Sequence, residues 1–119
     1  MTAITDEQRN EALKIYATTI KNCQKMQPKF APGTPQASLL TNRINALQVV
    51  EGIVRNSGEY FTREQLTTSV APIKSIIHKT SVARSKYALD TPVYKRLTPM
   101  INATEIGLAA LEQRLNQEA

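Results

Sequence analysis

A stretch of eighteen residues in this chain recurs fifty-seven positions downstream. Lys29-Phe30-Ala31-x-x-Thr34-Pro35, followed by Leu40-Thr41-x-x-Ile44-Asn45-Ala46, returns as Lys86-Tyr87-Ala88-x-x-Thr91-Pro92 and Leu97-Thr98-x-x-Ile101-Asn102-Ala103. Nine of the eighteen aligned residues are identical, where about one would be expected by chance at average residue usage. The same offset aligns Thr5-x-Glu7-Gln8 with Thr62-x-Glu64-Gln65 without a gap. One unit is therefore expected twice, over 4–58 and 61–115, within a single helical domain of 1–119. Whatever the first half folds into, the second should fold into as well, and the two must then cover each other.

The unit reads as a helical hairpin. Thr5 with Gln8, and Thr62 with Gln65, have the spacing of a capping box, in which each side chain satisfies the other's backbone N–H. Phe61 and Leu66 add a hydrophobic staple, whereas Ile4 faces Arg9 in the first copy and leaves the staple incomplete. Apolar residues then follow at helical spacing: Leu13, Tyr16, Ile20 and Cys23 in one copy, Leu66, Val70, Ile73 and Ile77 in the other. The first helix should end near Gln27, because Pro28 disfavours helical geometry in its predecessor. Thr34-Pro35 and Thr91-Pro92 start the second helix of each unit, with threonine as cap and proline at the first helical position. Leu40, Ile44, Leu47, Val50 and Val54 mark one stripe until Asn56-Ser57-Gly58 stops it; Val93, Leu97, Ile101, Thr104, Leu108, Leu111 and Leu115 mark the other. Nothing alternates with period two, so the fold class is all-α.

Two hairpins, each with an apolar stripe it cannot cover alone, predict a four-helix up-and-down bundle with pseudo-two-fold symmetry. Pro72 and Pro99 have no counterpart in the first copy, where Ile15 and Asn42 stand. An interior proline removes a hydrogen bond and crowds the preceding turn, so the third and fourth helices are expected to kink near these residues. Thr98-Pro99 could also begin the main part of the fourth helix.

Charge is unevenly spread. The net +5 resolves into +4 over 21–43, +5 over 74–96 and −4 elsewhere. In the predicted topology loops 28–34 and 85–91 share one end, which gathers the positive charge and two positive helix starts. Lys29, Lys86, Lys95 and Arg96, with Thr34 and Thr91 at the helix starts, are the candidate anion- or partner-binding residues. Phe30 and Tyr87 are expected to plug the ends of the core, with contact to a ligand as the alternative. Asn45 and Asn102 are read as exposed, the alternative being a buried pair that fixes helix register.

No constellation carries catalysis, a metal or a cofactor. His78 has no second histidine or cysteine beside it, and Cys23 lies on an apolar stripe. With one cysteine in the chain an internal disulfide is excluded, which suits a reducing compartment. The opening residues have neither the basic nor the apolar region of a secretory leader, and a cytoplasmic location is expected. The function that follows is a small non-enzymatic helical protein that engages a partner protein through its basic end. Two alternatives are nonspecific binding of nucleic acid or an acidic membrane surface, and a homo-oligomeric module. The latter would stack its acidic and basic ends head to tail, or pair through spare apolar residues such as Leu39, Val49 and Ile53.

Overall fold

The computed structural model describes residues 4–118; Met1–Ala3 and Ala119, which the single-domain reading includes, lie outside it. Four helices account for most of the chain: α1 (Asp6–Met26), α2 (Pro35–Arg55), α3 (Arg63–Ser85) and α4 (Pro92–Glu118). A 3-10 turn at Gln27–Lys29 follows α1, and no strand occurs among the described residues. The protein is an all-α four-helix fold.

Local chemistry fixes the helix ends. The Gln8 amide donates to Thr5 Oγ1 at 3.0 Å while the Thr5 amide donates to Gln8 Oε1 at 2.8 Å. Gln65 and Thr62 do the same at 3.1 and 2.8 Å. Phe61 and Leu66 are both buried, completing the staple at α3. α1 stops where Pro28 forces the 3-10 turn, and α2 stops at Asn56, whose φ of 60° is left-handed. Pro72 and Pro99 end neither helix: α3 and α4 run through them, and α4 begins at Pro92 rather than at Thr98-Pro99. The residues just beyond, Ile73 and Ile101, are buried, so packing holds each helix together across the missing hydrogen bond.

Within each hairpin the helices pack side by side. Between hairpins, α1 lies against α4, α3 lies against α2, and α2 touches α4, while α1 and α3 make no contact. α2 and α4 come close where Gly107 meets Val50: a Cβ placed on Gly107 would lie 3.2 Å from that of Val50. These two residues occupy the same position in the two copies. Tyr16, fully buried, reaches from α1 to donate its hydroxyl to the Ala103 carbonyl at 2.5 Å. One α1 turn further on, Thr19 meets Met100, so α1 and α4 run antiparallel, with both hairpin turns on the same side of the crossing.

The molecule measures 41 × 40 × 21 Å. A rod of nearly parallel helices would be narrow in two directions, since helices pack about 8–10 Å apart. Here only one dimension is two helices deep, so the hairpins diverge from their crossing.

This geometry adjusts several expectations. The buried stripe of α1 is Ala12, Tyr16, Ile20 and Cys23, and that of α3 is Leu66, Ser69, Ile73 and Ile76. Small Ala12 and Ser69 are buried, while Leu13 and Val70 beside them pack partly buried against the core. α2, touched by all three other helices, also buries Ala46, Val49 and Gly52; Val49 is core and not part of any dimer face. Asn45 and Asn102 are exposed, so they form no buried register pair.

Two outcomes check this packing. A Cβ on Gly52 would lie 2.6 Å from Phe61 Cζ, so Gly52→Ala should cost about 1–3 kcal/mol by overpacking. Adding Phe61→Leu should return part of that loss in denaturant titrations. Burial pushes the Tyr16 phenol well above its ordinary range, a backbone hydrogen bond at Gly107 opposing the shift. A proton held more tightly in the folded chain stabilises it fully below the unfolded tyrosine value of about 10, and that contribution fades as pH rises further. Tyr16→Phe should therefore lower stability by about 1 kcal/mol at neutral pH and flatten the loss of stability above about pH 10.

Candidate functional site at the hairpin turns

Each hairpin turn is closed by one threonine used twice. Thr34 Oγ1 accepts from the Ala37 amide at 3.3 Å and donates to the Ala31 carbonyl at 2.8 Å. Thr91 Oγ1 accepts from Tyr94 at 3.3 Å and donates to Ala88 at 2.7 Å. The threonine amides add backbone bonds to the same two carbonyls, at 3.3 and 3.0 Å. The turns thus repeat bond for bond at the offset read from the sequence.

Those bonds also limit what the helix starts can offer an anion. Pro35 and Pro92 have no N–H, Ala37 and Tyr94 are capped, and Ser38 and Lys95 already donate to the threonine carbonyls. Only the amides of Gln36 and Val93 are left in the first turns. Thr34 and Thr91 serve as helix caps, so the free donors at these ends are the Gln36 and Val93 amides and the side chains.

One residue inward, a second pair of contacts matches across the copies. Gln27 Nε2 donates to Thr41 Oγ1 at 3.3 Å, and Arg84 Nη1 donates to Thr98 Oγ1 at 3.1 Å. Arg84 also stacks on Tyr94, with 4.7 Å between its guanidinium carbon and the ring centre. This arginine is therefore committed to holding α3 against α4.

The other cations of the tips are not committed. Lys29 stands on the first tip; Lys86, Lys95 and Arg96 stand on the second, and all four are exposed. The ion pairs among the described residues are Arg9–Asp6 at 3.1 Å and Arg55–Glu51 at 3.6 Å. Both lie away from the basic segments, so no carboxylate is paired with the tip cations. The 3-10 turn contacts α1 and α2 alone, so the first tip is built by its own hairpin.

The two loop aromatics differ. Phe30 is half-buried against the core, as expected for a plug. Tyr87 is 45 % exposed; its hydroxyl is better solvated in water than in an apolar seat. Beside it, Leu89 is 73 % exposed, and Val82 faces solvent on the last turns of α3. Sequence reasoning passed over Leu89 and Val82. The signal for Leu89 was a large apolar residue in a polar turn, lying on no helical stripe, where the first copy has Pro32.

Elsewhere the chemistry is quiet. His78 is exposed, and no group of three or more His, Cys, Asp or Glu converges among the described residues. Burial pushes the Cys23 thiol up, with the Arg43 guanidinium pulling the other way, and Cys23 packs as a small core residue. No described helix is long and apolar enough to cross a membrane. No family model matches the chain, and no curated protein or solved structure matches it.

Arg84→Gln reproduces the residue of the first copy. It should keep the Thr98 bond, lose the stacking on Tyr94, and cost about 0.5–1 kcal/mol in thermal or chemical unfolding.

Proposed function

We propose that the protein is a non-enzymatic, cytoplasmic binding module that docks an acidic partner protein on its hairpin tips, chiefly the second. The observation that carries this reading is the surface of that tip: Tyr87 and Leu89 stand exposed beside Lys86, Lys95 and Arg96, which have no carboxylate partner among the described residues. Exposed apolar side chains supply area to bury, and the surrounding charge steers an acidic partner and fixes its orientation. Lys29 on the first tip extends the same field. A nucleic acid or an acidic membrane surface would answer first to the charge. Such binding weakens steeply as salt releases its counterion advantage.

Capture from native lysate, with and without nuclease, tests the reading. Wild type is compared with a variant carrying Lys29, Lys86, Lys95 and Arg96 changed to Ser, and with Tyr87→Ser/Leu89→Ser. A protein held by wild type and lost from both variants, insensitive to nuclease, is the expected result. An identical captured set for all three refutes the proposal. Capture that disappears with nuclease or modest salt reassigns the tips to nonspecific anion binding.

A further inference from the structure

At the end of the molecule away from the tips, a groove of about 750 Å³ opens between the start of α1, the end of α2 and the last turns of α4. Ile4, Ile53, Ile106 and Ala110 give it an apolar floor, and Arg9 and Arg114 stand among its polar lining.

The internal repeat shows what such a place accommodates. Ile4, Arg9, Ile106 and Ala109 correspond to Phe61, Leu66, Val49 and Gly52. Where α2 meets α3 all four are buried, and the Phe61 ring fills the space over Gly52. In the first copy the aromatic is an isoleucine and its staple partner an arginine. The position stays open, with room for one aromatic side chain from outside.

The chain carries such a side chain on the same end. Tyr60 is 73 % exposed in the segment joining α2 to α3 and follows the exposed Glu59. Asn56 lines the groove, and four residues span at most about 14 Å of chain, so plug and socket belong to one patch. A patch that holds both is self-complementary, the condition for a closed two-fold dimer. Charge agrees with this pairing. Glu59 and Arg114 make no ion pair among the described residues, and Arg9 holds only the exposed Asp6. The Arg9 Nε is buried without an acceptor.

We propose that the groove receives Tyr60 of a second copy, with Glu59 of that copy meeting Arg9 and Arg114, in an isologous homodimer. The tips, at the other end of each protomer, stay free in this assembly, so the dimer does not depend on the proposed docking function.

Sedimentation equilibrium of the full chain over a range of concentrations tests it. Wild type should dimerise, and Tyr60→Ser should weaken the dimer by about tenfold or more. Leu89→Ser, equally exposed but on a tip, should leave it unchanged, as should the four-residue Ser variant of the tip cations. Arg114→Glu should weaken association, and Arg114→Glu combined with Glu59→Arg should restore it. Circular dichroism confirms that each variant is folded. A monomeric wild type, which would leave the groove to some other occupant, overturns the proposal. So does a dimer indifferent to Tyr60→Ser, or a charge swap that fails to restore binding.

Discussion

The close approach of α2 and α4 is the contact on which the rest of the architecture depends. A position that meets its own counterpart across two matching hairpins cannot carry the same large residue twice without a clash, nor glycine twice without a void. Val50 against Gly107 resolves that conflict with one large residue and one absent side chain. With the central helices this near, α1 and α3 are left on opposite outer edges, each touching both central helices and not one another. Tyr16 sits at the same crossing and ties α1 to the α4 backbone. Its buried hydroxyl has an acceptor, without which it would be a liability in an apolar setting.

From the crossing outwards the two copies have drifted apart in ways that suit different surroundings. Thr41 and Thr98 accept in the same place, yet one donor is an amide and the other a guanidinium stacked on tyrosine. Phe61 closes one seam between helices, whereas its counterpart Ile4 leaves a groove. A doubled chain can keep one arm's solution for stability while the other arm's equivalent surface takes up new chemistry.

Much of the fold was legible in the sequence because it is set by short-range bonds. The caps at Thr5, Thr34, Thr62 and Thr91 depend on neighbours within three residues, and each was readable from spacing alone. Most of the α1 and α3 stripes was readable too, but Leu13, Val70 and Ile77 are only partly buried while their neighbours Ala12, Ser69 and Ile76 are buried, since large apolar side chains dominate a periodicity count. The small Ala12 and Ser69 were chosen by how near a neighbouring helix comes. The divergence of the hairpins had no local signature; it follows from crossing contacts between residues eighty or more positions apart, such as Tyr16 with Ala103. The candidate site was legible as a distribution of charge. Which cation was already engaged, as Arg84 is, and which apolar residue was left outside, as Leu89 is, depended on tertiary neighbours.

The threonine-locked turns have a further consequence for any encounter made there. Loops usually lose conformational freedom on association, and that loss subtracts from affinity. Here the hydroxyl and the amide of a single residue have already immobilised the main chain on both arms. Recognition at these points would need to freeze only lysine, arginine and tyrosine rotamers, so even a small footprint could retain most of its gross interaction energy.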